Sequence, residues 1–223
     1  MSAPDASTWV AEVDELRLDA SAAPAARILA RAATTLDSAA MVGALTGSIR
    51  GMGVIATWDR VASPVLRALE QLPPDTGQQI AVERMLSRAV SEAFAAVPRP
   101  EPGVPVRVLL ACADDEQHTL ALQALAAAVA EFGLSSCSLG AGMPPGALHS
   151  AVRRVRPVVA VVWSQTSATA DPAHLLPLLI DRPCRALVAA GPGWTAVALP
   201  EAVVRPTDLS EAFDTIVGLI TAG

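Results

Sequence analysis

Three consecutive acids and a histidine are the residues of this chain best suited to chemistry. Asp114, Asp115 and Glu116 follow an apolar run, and His118, one of three histidines in 223 residues, comes two positions later. A carboxylate beside an imidazole holds one ring nitrogen and leaves the other free to bind a metal or to move a proton. The same residues would also suit a solvated loop at the start of a helix.

Strand and helix patterns place these residues at the end of a strand. After residue 105, short apolar runs alternate with helix-length segments, which predicts strands at 106–112, 135–139, 157–163, 185–190 and 202–205 and helices at 117–132, 145–155, 172–180 and 209–222. This alternation predicts a five-stranded parallel sheet covered on both faces, of flavodoxin-like or Rossmann-like type. Ligands bind such sheets beyond the carboxyl ends of the strands, which is where His118 is expected.

A proline-rich segment separates this half from a helical one. Residues 97–105 hold four prolines in nine positions, which excludes a helix or a central strand. Before this segment, apolar residues recur at spacings of three and four, which predicts a bundle of about four helices. One of these helices runs through residues 57–72, and a further helix is predicted at 9–16. The predicted domains are a helical cap at 1–97, a linker at 98–105 and an α/β domain at 106–223.

Composition limits the binding partners and the cellular location to be expected of the protein. The net charge of −6 and the pI of about 5.0 argue against a nucleic-acid surface. Cys112, Cys137 and Cys184 show no paired spacing, so we expect free thiols in a reducing cytoplasm. The N-terminal residues do not form a secretory signal, and no apolar run is long enough to span a membrane. We therefore expect a cytoplasmic protein without direct nucleic-acid or membrane contact.

Several functions found on this fold require residues that this chain does not have. All sixteen basic residues are arginine, and the absence of lysine excludes a working receiver domain and a P-loop nucleotide site. The glycine-rich loop at 140–146 follows the second strand instead of the first, and its prolines remove amides that a pyrophosphate would need. The motifs of zinc deaminases and of nucleophile-elbow hydrolases are also missing.

The segment Glu116-Gln-His118-Thr-Leu-Ala121 resembles the Asp-x-His-x-x-Gly motif of cobalamin-binding domains. In that family the histidine is the lower axial ligand of cobalt, and the acid holds the other ring nitrogen. The resemblance therefore implies that His118 binds the metal and that Glu116 fixes its tautomer. The glycine of the motif is replaced by Ala121.

Two further elements of the same family follow in order. Ser164-Gln165-Thr166 resembles its Ser-x-Leu motif, with 42 residues between Ala121 and Ser164. The glycines at 191 and 193 resemble its glycine pair, with 24 residues between Thr166 and Gly191. The resemblance implies that Ser164, Gln165 and Thr166 lie near a buried nucleotide tail and that Gly191 and Gly193 let the backbone pass close to it. Trp163 and Trp194 are the aromatic residues nearest the expected pocket.

The helical half extends the resemblance to residues 15–222. The sequences "GVIATWDRVASPVLRALEQL" and "VERMLSRAV" look like the four-helix cap of light-responsive MerR-family regulators of the CarH and LitR type. The resemblance implies a photosensory module in which light breaks the cobalt–carbon bond of adenosylcobalamin and alters assembly. We expect this module to act without the winged-helix DNA-binding domain of those regulators, through a homo-oligomer or a separate effector protein.

The cap departs from the family at the upper face of the corrin. The family's Trp-x9-Glu-His motif maps onto Pro73, Glu83 and Arg84, so the tryptophan and histidine positions are replaced while the glutamate remains. Glu83 and Arg84 stay candidate cofactor contacts, and Trp58 is a candidate lining residue. An upper face without the tryptophan leaves room for another flat ligand, and the resemblance extends to stand-alone photosensors that pair cobalamin with a bilin such as biliverdin.

Two other functions use the same residues. A corrinoid methyl carrier or a mutase-type small subunit would keep the histidine motif and depend on a catalytic partner. A degenerate module that has lost cobalamin would serve only as a protein adaptor. In each of these functions the chain is expected not to be an enzyme by itself.

Overall fold

The computed structural model describes residues 23–70 and 78–222, and the chain divides into two compact units between Val97 and Pro98. The expected helix at 9–16 and the cap position Pro73 lie outside the described residues. None of the described helices is long and apolar enough to cross a membrane.

The first unit is helical, as expected from its apolar periodicity. Its helices are α1 (Ala23–Thr34), α2 (Ser38–Met52), α3 (Val54–Thr57), α4 (Ser63–Glu70) and α5 (Gln78–Ala95). The Asp37 side chain caps α2 by accepting a hydrogen bond from the Ala40 amide. Leu29, Met41, Leu45, Leu86 and Phe94 are completely buried in the core of this unit.

The single helix predicted through residues 57–72 is interrupted. A π-helical turn, Trp58–Ala62, joins α3 to α4, and the Ser63 amide donates to the Trp58 carbonyl five residues earlier. Pro64 has no amide hydrogen to give to the carbonyl four residues before it, so the helix widens just ahead of the proline. The predicted helix is therefore present as far as Glu70, with this π-helical turn within it.

The second unit contains an all-parallel sheet with the strand order β2-β1-β3-β4-β5. This confirms the predicted α/β class and flavodoxin-like topology. Its elements are β1 (Val108–Cys112), α6 (Leu120–Glu131), β2 (Ser136–Gly140), α7 (Pro145–Val155), β3 (Val159–Trp163), α8 (Leu176–Asp181), β4 (Ala186–Ala190), β5 (Val203–Val204) and α9 (Leu209–Thr221). Side chains of β1 and β3 are buried throughout, because helices cover both faces of the sheet.

The two sheet faces alternate along each strand. Leu109, Ala160 and Leu187 pack on one face in a cluster with residues of α7 and α8. The intervening residues of the central strands, ending in Cys112 and Trp163, lie on the face toward α6 and α9. Cys112 and Trp163 are directly opposite each other in the register of β1 and β3.

Two helix boundaries differ from the sequence prediction. Helix α6 begins at Leu120 and not at residue 117, because residues 114–119 form a loop. The segment expected as one helix at 172–180 begins as a 3₁₀ turn, Pro172–Leu175, and continues as α8. Pro177 cannot donate to the carbonyl four residues earlier, which favours the tighter turn before it.

Candidate functional site

His118 lies in the loop between β1 and α6, at the carboxyl edge of the sheet. The Ala113 amide donates to the Trp163 carbonyl at 2.8 Å, which extends the β1–β3 pairing into the loop. The Gly142 amide donates to the Glu116 carbonyl at 2.8 Å, and this bond ties the loop to the residues after β2. Backbone contacts to both neighbouring strands thus set the position of Glu116 and His118.

Glu116 and His118 form the pair that the sequence predicted. Oε1 of Glu116 lies 2.6 Å from His118 Nδ1 and accepts a second bond, of 2.8 Å, from the His118 amide. A carboxylate only accepts hydrogen bonds, so Nδ1 carries a proton, and Nε2 is the ring nitrogen that Glu116 does not engage. The His118 side chain is 60% exposed, whereas that of Glu116 is 1% exposed. The imidazole is thus bound through Nδ1 to a buried carboxylate while most of its side chain stays exposed.

The second oxygen of Glu116 joins this loop to the one after β3. Oε2 accepts from the Gln165 amide at 2.8 Å and from Thr169 Oγ1 at 2.6 Å. Burial by itself would raise the pKa of Glu116, but the bonds from Thr169, His118 and Gln165 outweigh it and lower the pKa to about 2. Glu116 is therefore ionised at neutral pH and orders both loops.

The Ser164 hydroxyl bonds within the loop after β3. Its side chain is completely buried, and its Oγ lies 2.9 Å from the Thr166 carbonyl and 2.7 Å from Thr169 Oγ1. Thr169 gives its own proton to Glu116, so the Ser164 proton serves the loop's internal bonds. In this conformation Ser164 supports the Glu116 network through Thr169, and its contact with a nucleotide tail stays a prediction.

Gly191 and Gly193 let two loops of the protein pack closely together. A Cβ added at Gly191 would lie 2.3 Å from the Ser164 carbonyl oxygen, and one at Gly193 would lie 2.4 Å from the Thr166 carbonyl oxygen. The φ of Gly191 is +104°, which also favours glycine. These glycines permit a close approach between the loops after β3 and β4, and their contact with a cofactor stays a prediction.

Trp194, predicted to contact a cofactor, is completely buried instead. It ends the 3₁₀ turn Pro192–Trp194, belongs to the core cluster on the α7–α8 face, and its Nε1 donates to the Val162 carbonyl at 3.1 Å. Arg205 Nη1 donates to the Trp194 carbonyl at 3.2 Å and to the Val197 carbonyl at 3.0 Å. Trp194 therefore packs in the core with its large apolar ring, and its indole N–H has a hydrogen-bond acceptor.

The helical unit holds three further candidate residues, Trp58, Glu83 and Arg84. The Trp58 ring is half-buried and packs against Phe94, with ring centroids 6.2 Å apart. Glu83 and Arg84 are exposed on α5. Their assignment as cofactor contacts stays a prediction, as does that of Ala121, which is 5% exposed in the first turn of α6.

Two residues of the site were not among the predicted contacts. Thr169 donates to Glu116 from 53 positions away, and the sequence offers no motif that marks it. Trp163, in contrast, ends β3 directly before Ser164 and is buried with no acceptor for its Nε1 among the described residues. Its position at a strand end was the one indication available from the sequence.

The donor set limits the chemistry of the site. The described residues contain no group of three or more His, Cys, Asp or Glu side chains that could hold a metal by themselves. Burial and the Glu116 charge raise the pKa of the nearby Cys112 thiol to about 12, so it is not a nucleophile at neutral pH. What remains is one exposed imidazole nitrogen with a fixed tautomer, which suits a metal whose other ligands come from elsewhere.

No protein-family model and no curated protein matches the chain. Among solved structures, the Methanosarcina barkeri monomethylamine corrinoid protein matches with a TM-score of 0.60 and 10% identity over 86% of this chain and 96% of that one. The methanol:cobalamin methyltransferase complex MtaBC from the same organism matches with a TM-score of 0.45 and 13% identity over 95% of this chain and 84% of that one. A cobalamin-binding protein from Desulfitobacterium hafniense DCB-2 also matches with a TM-score of 0.45 and 13% identity, over 97% of this chain and 99% of that one. The first match shows that this chain shares the fold of that corrinoid protein, a parallel-sheet domain preceded by helices.

Proposed function

We propose that the chain binds cobalamin, with His118 as the lower axial ligand of cobalt. The observation that carries this proposal is the exposed His118 imidazole, held at the carboxyl edge of the sheet by a bond of 2.6 Å from Nδ1 to the buried Glu116, which does not engage Nε2. The order of motifs along the chain and the fold shared with a corrinoid protein support it.

The residues fit such a cofactor. A corrin ring supplies four nitrogen ligands to cobalt, so the protein needs to add a single imidazole, and a single imidazole is what this edge provides. Glu116 would keep Nδ1 protonated and increase the basicity of Nε2, as acidic partners of metal-bound histidines do. Gln165 and Thr169 would hold that carboxylate in place. When bound, the cofactor would supply organometallic chemistry at cobalt, including a light-sensitive bond to an upper carbon ligand.

The regulatory form of this proposal is a light sensor. It is supported by the resemblance of both halves to light-responsive MerR-family regulators, from "GVIATWDRVASP" to "GPGW". In this form, loss of the adenosyl group in light would alter homo-oligomerisation or contact with a separate effector protein. The chain itself would have no catalytic residue.

A second form, a corrinoid carrier or enzyme subunit, is favoured by the structural match to the monomethylamine corrinoid protein. The same His118–Glu116 pair would serve it, and a separate catalytic partner would carry out the reaction. The two forms differ in what light does: a sensor changes its assembly on illumination, whereas a carrier does not.

Spectra and assembly state of the purified chain test these proposals together. We expect the protein reconstituted with adenosylcobalamin in the dark to show a histidine-ligated spectrum that is lost in H118A. Illumination should then change both the spectrum and the mass measured by light scattering. Failure of the wild-type protein to retain cobalamin would contradict cobalamin binding, and an unchanged mass after photolysis would favour the carrier.

A bilin as second chromophore is a further part of the light-sensor proposal. Its support is the replacement of the family's tryptophan and histidine by Pro73 and Arg84. Purification from cells that make cobalamin and biliverdin should then yield a protein with added red absorption. A cobalamin-loaded protein without red absorption would contradict this part alone.

A further inference from the structure

The amino edge of the sheet, opposite the edge that carries His118, holds a group of arginines. A helix between two parallel strands returns the chain to the start of the next strand, so α7 and α8 both end at this edge. Both helices pack on the same face of the sheet. Six of the eight arginines of residues 98–223 lie at the ends of these helices or at the starts of β1 and β4, and we call them the arginine corner: Arg107, Arg153, Arg154, Arg156, Arg182 and Arg185.

Backbone pairing places Arg107 and Arg185 on either side of β3. The Arg107 carbonyl accepts from the Val158 amide at 2.9 Å, and the Arg185 amide donates to the Val158 carbonyl at 3.0 Å. The two arginines are therefore in one register, two strand spacings or about 10 Å apart. They precede by two positions Leu109 and Leu187, which pack against α7 and α8. Because side chains alternate along a strand, both arginines lie on the side of these helices.

Arg156 and Arg182 occupy backbone positions that favour glycine. They directly follow the last residues of α7 and α8, with φ of +51° and +47°. A residue with a Cβ is disfavoured in this left-handed conformation, which helices commonly give to glycine at this position. Cations near a helix C-terminus gain from the helix dipole, but Arg153 and Arg154 already provide them in the last turn of α7. The dipole therefore does not account for a further arginine in the disfavoured conformation.

One acid, Asp181, pairs with the arginine corner. Its Oδ2 lies 3.5 Å from Arg153 Nε and 3.0 Å from His149 Nε2. Arg107 Nε is buried and has no hydrogen-bond partner among the described residues. Within the same part of the chain, four exposed arginines of the corner form no ion pair: Arg154, Arg156, Arg182 and Arg185. Most of the positive charge of this surface is thus left for a group outside the described residues.

Exposed aliphatic side chains adjoin the arginine corner. Ile180, which directly precedes Asp181, is 83% exposed, and Leu176, one turn earlier on α8, is 48% exposed. Protein interfaces combine arginine with apolar residues, whereas the phosphates of a nucleic acid gain nothing from aliphatic side chains. The net charge of −6 also disfavours the approach of a nucleic acid. The surface therefore fits a protein segment that carries both carboxylates and apolar side chains.

We infer that the arginine corner, together with Leu176 and Ile180, binds an acidic amphipathic segment of a separate protein. Carboxylates of that segment pair with the arginines, and its apolar side chains pack on the two aliphatic residues of α8. This surface and His118 lie at opposite ends of the sheet, so the partner leaves the proposed cobalamin site open. The inference does not depend on cobalamin binding; it assigns the surface at which a separate effector or catalytic protein attaches.

Fluorescence anisotropy of the full chain with three labelled probes tests the inference. The probes are a peptide of about four helical turns with leucine and glutamate at helical spacing, the same peptide with glutamine for every glutamate, and a single-stranded DNA of similar length. We expect the leucine–glutamate peptide to bind the wild type, with and without cobalamin, more tightly than the other two probes do. R154E/R185E should bind it about tenfold more weakly. The matched control R27E/R88E makes the same charge change at exposed arginines of the first unit and should bind as the wild type does.

Two further variants cover the case in which the charge reversal prevents folding. R156G/R182G puts glycine where the backbone favours it, so it should keep the thermal stability of the wild type and bind the leucine–glutamate peptide about threefold more weakly. I180S changes a side chain that is 83% exposed, so it should weaken binding of the same peptide without lowering the unfolding temperature.

Four results would overturn the inference. They are a wild type that does not bind the leucine–glutamate peptide, equal affinity of R154E/R185E and R27E/R88E for it, and DNA binding as tight as peptide binding, which would assign a nucleic acid to this surface. The fourth is a wild-type oligomer, measured by light scattering, that dissociates in R154E/R185E, which would assign a second copy of the chain. Cobalamin retention by the wild type is measured separately, so the proposed function stands or fails independently of these results.

Discussion

Oε1 of Glu116 accepts both the backbone amide and the ring Nδ1 of His118, at 2.8 and 2.6 Å. One oxygen therefore fixes the peptide that carries the imidazole and the orientation of the ring itself. The other oxygen is bound to the loop after β3, so the imidazole is positioned by two strands of the sheet at once. The predictions below follow from this arrangement.

His118→Ala should convert bound cobalamin from the histidine-ligated to the base-off form, because no other imidazole of the described residues lies in this loop. The absorption spectrum of the reconstituted protein measures this directly. His149→Ala is the matched control, since His149 lies on α7 and its Nε2 bonds Asp181 at 3.0 Å. Identical spectra for wild type and H118A would exclude the assigned ligand.

Glu116→Gln should weaken retention of cobalamin by about ten- to a hundredfold, the usual effect of losing the partner of a metal-bound histidine. The glutamine also places its NH₂ group against N–H and O–H groups that donate to the carboxylate in the wild type. Because two donors cannot bond to each other, the free energy of unfolding of E116Q should fall by about 2–4 kcal/mol. Urea unfolding and equilibrium dialysis measure the two effects. Asp115→Asn, at an exposed residue with φ +59° in the same loop, should leave both unchanged.

The acid sensitivity of the unliganded protein should depend on Glu116. Its pKa is lowered from 4.5 to about 2 in the folded protein, so its contribution is present above pH 4.5 and is lost as the pH falls toward 2. We expect wild type to exceed E116Q in unfolding free energy at pH 7 and this difference to shrink by about 2–3 kcal/mol by pH 2. A difference independent of pH would mean that the Glu116 charge does not stabilise the fold.

Gly193→Ala should destabilise the protein by about 2–4 kcal/mol, because its Cβ would meet the Thr166 carbonyl oxygen at 2.4 Å and Ser164 Oγ at 2.5 Å. Gly218→Ala is the matched control: it lies within α9 and its Cβ would meet nothing within 4 Å. That control should stabilise α9 by about 0.5–1 kcal/mol. Thermal unfolding of both variants tests the opposite signs.

Cys112 should resist alkylation in the folded protein. It is completely buried in β1, and burial together with the charge of Glu116 raises its pKa to about 12. Iodoacetamide at pH 8 should therefore modify Cys112 only after unfolding. Fragmentation of the tryptic peptide 108–153 follows this, because that peptide also holds Cys137. Rapid labelling under native conditions would show that the loop after β1 opens readily.

The sheet and the His118–Glu116 pair were predictable because each depends on local sequence. Apolar runs of strand length alternate with helical segments, and that alternation determines a parallel sheet covered by helices. Glu116 and His118 are two residues apart, so their contact requires only a tight loop. Helix α6 starts at Leu120, three residues after the predicted position.

Contacts between distant segments were not predictable in this way. Thr169 reaches Glu116 across 53 positions, and its hydroxyl has no motif to mark it. The direction of Trp194 could not be read from strand alternation, because the 3₁₀ turn Pro192–Trp194 breaks the period of two after β4. Gly191 and Gly193 were correctly singled out as close-approach positions, but what approaches them is Ser164 and Thr166.

The Glu116 network has a consequence for the thermodynamics of association. Immobilising a loop residue costs about 1–2 kcal/mol of backbone entropy, and a site that orders its loops around a ligand loses that amount from its affinity. Here the segments carrying His118, Gln165 and Thr169 are already tied to one carboxylate when the protein has folded. The entropy of ordering them is lost during folding, so a ligand of His118 meets a preorganised surface.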